Sequence, residues 1–485
     1  MLESIEDMYI DGVSMAETFT DKDDEFNDYL IVNSVYGRGV LERDNTLLPT
    51  LAMDGAYPSY SRFPVRELTV EITVKAPSFD ELRKKVERLS KFVNSSKEVE
   101  ISFADEMDRR YYGRLGTVDG DLETNRIMKT TLTFECSDPF KYGDTRVVER
   151  PDGALPVYNN GYDSYPIIEL EAKQKTTFAM ISDGSNYNIA GTLTDVEQEV
   201  VDTRNVIIDE LGDTIGEWSD ISTQGAFKSD SNGIFVNSYG TGTGWHGPRI
   251  EKEIPSVDNF EIEIYMNVRT EQDKMTFRTS LNFYDDEMKE LGMIRLWDKN
   301  NKRTAKIVEG RIGKYTGTDY ENYLISDKNY FWEGQRVYNG IIRVTRVGNE
   351  WTFYAAHITQ RGNHIETITR KYNDVKGEFS NALRYIRVES SVYGDNPPPN
   401  ALRIQRIRVT ELAQITEDQT PYILEPGDVL TFDHVSRNIL VNGEPRLDLK
   451  NFGGTWFPLK EGQQTIVVSP EDAFDATLTF EERFI

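Results

Sequence analysis

Four histidines, six tryptophans and one cysteine are the residues of this 485-residue chain that most invite a chemical reading. His246, His357, His364 and His434 are scattered, and no HExxH, GxSxG, P-loop or zinc-spaced cysteine pattern accompanies them. The sequence therefore predicts no catalytic residue, no metal ligand and no cofactor site. Gly242-Thr243-Gly244-Trp245-His246-Gly247 matches GxGxxG, but Pro248 leads into strand-like Arg-Ile-Glu-Lys-Glu-Ile-Pro where a dinucleotide site needs a helix. The stretch reads as a loop. An indole in such a loop has few apolar neighbours close in sequence and can offer a flat face to a sugar, so Trp245 and His246 are candidate glycan-binding residues. Trp297, closing a strand-like run, and Trp332, beside Phe331 and Gly334, are further candidates for that role. Trp351 heads an alternating run with Phe353 and Ala355 and is expected in a core. Asp285, Asp286 and Glu287 could form a glycosidase-like carboxylate pair, but among 82 acidic residues such neighbours arise by composition alone, and a charged turn is the expectation. Cys136 has no basic neighbours in TLTFECSDPF and reads as a buried, unreactive thiol, suited to a reducing cytoplasm.

Charge narrows the classes of partner. A formal net charge of −27 and a pI near 4.7 argue against stable nucleic-acid binding, which calls for a basic stripe. Residues 1–28 hold ten acidic residues against Lys22 alone. Their cluster Asp21, Asp23, Asp24, Glu25, Asp28 lacks the glycine and glutamate of a calcium loop and reads as a solvated acidic face, or as a surface that would repel DNA inside a channel. No run of about 18 apolar residues is present, and the acidic start MLESIEDMYIDG is unlike a secretory signal, so neither membrane insertion nor export is expected.

The elements that must position these residues are mainly β. Val65, Leu68, Val70, Ile72 and Val74 are assigned to one face of a strand, and similar alternation recurs at Val99–Phe103 and Met128–Phe134. Ser78-Phe79-Asp80-Glu81 matches a capping box, and Phe79, Leu82, Val86, Leu89 and Val93 then recur at helical spacing up to Asn94, which predicts one amphipathic helix of about 15 residues. Residues 143–160, rich in turn formers, are expected as a linker. Short strands begin again at Ile167 and Phe178, but those needed to complete that fold recur only at Leu430, Ile439, Ile466 and Thr477, so a second domain is split by an insertion. The inserted stretch alternates at Phe260–Val268 and in five later runs, and suits a jelly-roll-like double sheet holding five of the six tryptophans.

YGRGV at 36–40, RFPVRELTVEITV at 62–74, the SFDELRKKVERLSKFV helix, VEISF at 99–103, RYYGRL at 110–115 and KTTLTFECSDPFKYG at 129–143 occur in the order found in the siphophage distal tail (Dit) proteins, which the chain resembles. NNGYDSYPIIELEA, EPGDVLTFD, ILVNGE, WFPLKEGQQTIVV and TLTFEERFI resemble the same family's galectin-like C-terminal domain. The resemblance implies a ring-forming belt domain over 1–145, a galectin-like β-sandwich over 146–198 plus 416–485, and an inserted carbohydrate-binding-like module over 199–415, as in the family's long, evolved forms. It further implies a homo-hexamer at the virion tail tip or baseplate, synthesised in the host cytoplasm. That ring would join the major tail protein on one side and the tail-associated hub (Tal) protein on the other. Receptor-binding proteins and host cell-wall polysaccharide are further expected partners, and DNA would pass through the ring without being held. Two alternatives stay open: a tail-borne polysaccharide-degrading enzyme, and a free carbohydrate-binding adhesin.

Overall fold

The computed structural model describes residues 7–49, 51, 54–150, 153–193, 199–299, 302–315, 323–325, 332–333, 335–416 and 419–485. In the strand Arg66–Lys75, period-two alternation buries Leu68, Val70, Ile72 and Val74 completely while Glu67 stays exposed. That strand lies between Tyr29–Tyr36 and Ile127–Cys136, in a seven-stranded sheet that continues through Tyr111–Thr124, Val99–Phe103, Met8–Ile10 and Val13–Ser14. Val65 is a correction: it precedes the strand and is 54% exposed, because it is out of phase with Leu68. The in-phase position belongs to Arg66, buried with Nε and Nη1 donating to the carbonyls of Pro139 and Gly37 at 2.6 and 2.9 Å.

Ser78 caps the helix Phe79–Val93, accepting from the Glu81 N–H at 3.3 Å while its hydroxyl donates to the Glu81 carboxylate at 3.1 Å. The buried face runs through Leu82, Lys85, Leu89 and Val93, which leaves Phe79 exposed. Lys85 is tolerated there because its ammonium meets Asp28 and donates to the Lys75 carbonyl at 3.1 Å. The acidic cluster is thus partly structural: Asp28 neutralises a buried cation, and the Asp23 N–H donates to Asp21 at 2.9 Å. A second helix, Met15–Phe19, adds to the one that periodicity predicts; five residues are too few to show a period, and Ser14 caps it through the Glu17 N–H at 2.9 Å. Cys136 is fully buried on the sheet, and burial pushes its thiol up to about 12.

The expected linker over 143–160 is instead two strands. Lys141–Arg150 pairs with Phe474–Phe484, and Ala154–Asn159 pairs with Gly462–Ser469. Leu155 and Val157 are buried between exposed Ala154, Pro156 and Tyr158, an alternation masked by the surrounding glycines and prolines. The pairing partners lie at the other end of the chain, so local turn chemistry could not announce them. Ile167–Ala172 sits between Phe474–Phe484 and Val429–Asp433 in a six-stranded sheet. A four-stranded sheet of Ala154–Asn159, Gly462–Ser469, Phe178–Ser182 and Tyr187–Gly191 shares a core with it, Leu155, Ile181 and Ile466 packing with Ile168, Phe432 and Leu478. The result is a β-sandwich whose strands come from both sides of the intervening residues.

Glu199–Val201 and Gln419–Pro421 run parallel to each other where the chain leaves this sandwich and returns. Among the described residues, strands from Arg204 to Leu412 pair only with one another, in an eight-stranded and a nine-stranded sheet. Phe260, Ile262 and Ile264 of the first pack with Leu281, Phe283 and Ile386 of the second. The two sandwiches also touch away from the crossover: the Arg343 guanidinium forks onto Glu444 at 2.6 and 2.5 Å, and the His364 N–H donates to the Gly443 carbonyl at 2.9 Å. Gly443 has φ +78°, and a Cβ there would lie 2.2 Å from the Gly362 carbonyl oxygen, so the Asn442-Gly443 turn both reverses a hairpin and admits this contact.

Candidate functional site

Three of the four tryptophan-loop candidates meet at one end of the nine-stranded sheet. The glycine-rich loop closes into a two-residue strand, Trp245–His246, registered against Tyr393 and Val392 of Leu383–Tyr393. Arg278 is cross-strand from both Ser391 and Trp297, and paired residues share a face of the sheet. Trp245 therefore arrives beside Trp297, with ring centroids 6.0 Å apart, and packs edge-on against Tyr393 at 5.5 Å. The indole is half-buried within a cluster and is not a free-standing platform. Trp297 is buried, flanked by the Arg295 guanidinium and the Lys299 ammonium at 4.3 and 4.6 Å from its ring centroid. Tyr393 supplies the outer edge of the cluster at 48% exposure.

His246 points inward. Its ring is 8% exposed and its Nδ1 lies 2.9 Å from the Gly244 carbonyl oxygen, so the histidine folds the loop that carries Trp245. Trp332 is placed by its backbone opposite Lys306, on the strand next to the one bearing Trp297, and its side chain lies outside the described residues. Sequence reasoning missed Tyr393, Arg278 and Arg295. None is near Trp245 in the chain, and only strand register assembles them.

Arg278 dominates the electrostatics of this cluster. Its guanidinium carbon stands 5.1 Å from the Trp245 ring centroid, Nε donates to Ser391 Oγ at 3.2 Å, and no carboxylate lies within ion-pair distance of it among the described residues. Burial, reinforced by the nearby Arg295 charge, pushes it down to about 10. The neighbouring carboxylates are engaged elsewhere, Glu309 with Arg295 and Glu389 with Arg249. Aromatic faces beside cations can pack against the C–H face of a saccharide while the cations meet its polar groups.

A second polar region is the cleft of about 720 Å³ between the eight-stranded sheet and the Val429–Pro445 hairpins. Glu261 and Glu263 are adjacent on one face there and both buried. Burial and the Glu261 charge raise Glu263, whereas the Arg343 and Arg204 guanidiniums outweigh burial at Glu261 and lower it. Arg343, shared with Glu444, and Arg204 occupy these carboxylates, so the network joins the two sandwiches. Asp285, the strongest member of the other carboxylate group, is fully buried and accepts from the Glu287 and Lys289 N–H groups and from Asn381, which holds a turn. Among the described residues, no group of three or more His, Cys, Asp or Glu side chains is arranged to hold a metal ion, and no helix is long and apolar enough to cross a membrane.

Comparison with known proteins adds information about the two ends. Residues 43–136 match the phage tail protein RIFT-related domain, and residues 400–484 match the C-terminal domain of siphovirus-type tail components. The distal tail protein of Bacillus phage SPP1 is 33% identical over 139 residues, 28% of this chain and 54% of the relative, so the chain spans about half the length of that curated protein. The crystal structure of the SPP1 Dit protein aligns over 99% of this chain and 100% of its own, at 13% identity and a TM-score of 0.40. The CBM2 module of the evolved Dit of Lactobacillus casei BL23 phage J-1 aligns over 44% of this chain and 100% of its own, at 14% identity and a TM-score of 0.35. The chain thus carries, near its two ends, two domains matched to phage and siphovirus-type tail proteins, and over 139 residues it is a homologue of the distal tail protein of phage SPP1.

Proposed function

We propose that this chain forms a hexameric ring at the tail tip or baseplate, joining the major tail protein to the tail-associated hub protein. Its units would be a ring-forming domain over 1–145, a split galectin-like domain over 146–198 plus 416–485, and an accessory module over 199–415 that binds host cell-wall polysaccharide. The observation that carries the structural role is the pair of siphovirus tail domains matched at 43–136 and 400–484. What favours glycan binding is the convergence of Trp245, Trp297 and Tyr393 with arginines at one sheet end. Trp245 and Trp297 are the proposed contact residues and His246 shapes the loop; Trp332 stays a candidate apart from them, two strands away from Trp297 across Ala305–Ile312. Individually weak sites would suffice, because six copies in one ring act together. Receptor-binding proteins would be further neighbours, while passing DNA would be repelled by the net charge.

Negative-stain microscopy of the full chain, alone and with its hub partner, tests the ring: six-fold particles with peripheral lobes are expected, and their absence in both preparations overturns it. Sedimentation of the chain with host cell walls tests the accessory role. Reducing ends released from those walls would instead favour the degrading enzyme.

A further inference from the structure

We propose that the Trp245–Tyr393 end of the nine-stranded sheet selects saccharides bearing anionic substituents, with Arg278 as the group that reads the charge. This rests on the glycan-binding reading and deepens it. On a chain of net charge −27, cations outside ion pairs stand out, and Arg278 is a half-buried guanidinium whose polar and ring contacts among the described residues are one serine hydroxyl and one indole face. Its Nη groups have no acceptor among the described residues, although a guanidinium presents a planar fork of donors that matches a carboxylate or phosphate. Removing such a group from water without giving it an anion is unfavourable, and a ligand anion would reverse that.

The surroundings fit a charged sugar better than a neutral one. Trp245 and the half-exposed Tyr393 offer apolar ring surface for the C–H face of a saccharide, next to the guanidinium. Glu389, the nearest acid on the strand opposite, is drawn to Arg249 at 3.3 Å and so does not satisfy Arg278. Asn282 lies on the same face of the strand Phe277–Tyr284; it is 8% exposed, and its Nδ2 has no partner among the described residues. An aromatic surface beside a cation that forms no ion pair among the described residues is complementary to a ring that carries a negative group.

Affinity electrophoresis of the full chain against three polymers of matched length tests this: a poly(glycerol phosphate) chain bearing sugars, a polyuronate and a neutral glucan. Retardation by an anionic polymer is expected, weakened at least tenfold between 50 and 500 mM salt and at least tenfold by Arg278→Gln, with Arg278→Lys recovering part of it. The two anionic arms separate phosphate from carboxylate as the source of the charge. Lys376→Gln, the same loss of charge at a lysine 83% exposed elsewhere, should change nothing. Tyr393→Ala, at an exposed ring, should weaken retention and serves if Arg278→Gln fails to fold. Retention of the neutral glucan alone, or retention of an anionic polymer untouched by Arg278→Gln, overturns the charge selectivity and leaves glycan binding standing. Retention of none of the three, together with no sedimentation on host walls, overturns both.

Discussion

The inserted sandwich contains two tryptophan–arginine clusters that use the same residue types for opposite ends. In its core, Trp351 is fully buried, stacked on Phe283 at 5.9 Å and edge-on to Phe260 at 5.7 Å, with the Arg346 guanidinium 5.4 Å from its ring centroid. Arg346 is closed in by backbone: Nε donates to the Asp258 carbonyl at 2.7 Å, and Nη1 to those of Phe379 and Asn381 at 3.0 and 2.6 Å. At the sheet end, Arg278 lies against Trp245, and among the described residues Ser391 is its one hydrogen-bond partner. Unsatisfied indole N–H groups do not separate the two, since both Trp351 and Trp297 have them. The guanidinium does: one that spends its donors on carbonyls staples loops together, and one that keeps them unspent is available to a ligand.

The strongest way to break this contrast is to truncate both tryptophans. Trp351→Ala should destabilise the inserted sandwich by about 3–5 kcal/mol, and Trp245→Ala by about 1 kcal/mol, because only the first opens a sealed cavity. Calorimetry of the full chain would show the shift in one transition, and equal losses would erase the distinction. The arginines should divide in the same way. Arg346→Met strands several buried carbonyls and should cost about 3 kcal/mol, whereas Arg278→Met should stay within about 1 kcal/mol while abolishing anion selectivity.

A closed aromatic site in the other sandwich sharpens the comparison through pH. His434 is 1% exposed, edge-on to Trp456 and Phe457, and burial pushes its imidazole down to about 4. The folded pKa is below the unfolded value of about 6.5, so the unfolded state takes up the proton first as pH falls. The stabilisation is complete above about pH 6.5 and is lost as pH drops towards 4, by roughly 2–3 kcal/mol. The transition containing the Phe474–Phe484 sandwich should therefore fall in temperature across that window, and His434→Phe should flatten the profile. An unchanged slope in that variant would remove His434 as the cause. The smallest expected effect is at His246: His246→Asn should leave stability within about 0.5 kcal/mol but loosen the Gly242–Gly247 loop, read as faster amide exchange at Trp245.

Sequence periodicity located strands and the capped helix wherever one face was buried and the other wet, as at Phe260–Arg269 and Phe79–Val93. It failed where burial came from distant pairing. Ala154–Asn159 reads as turn-rich polypeptide until Gly462–Ser469 lies beside it, and Lys85 reads as surface until Asp28 meets it. The candidate site was half legible. Trp245, His246 and Trp297 stood out by residue type, but the sequence could not separate the ring that packs the core from the ring that remains at the edge.

What the sequence determined by itself was local: a mainly β chain, one long helix with its cap, an unreactive thiol at Cys136, and the ordered motifs shared with distal tail proteins. These follow from interactions spanning a few residues, which alternation, capping and composition record directly. Only the tertiary structure decided that His246 folds its own loop, that Arg343 ties the inserted sheet to Glu444, and that Arg278 stands beside Trp245 with no ion-pair partner among the described residues. Each depends on strand register between segments far apart in the chain. Register fixes which side chains share a face, and no local pattern encodes it.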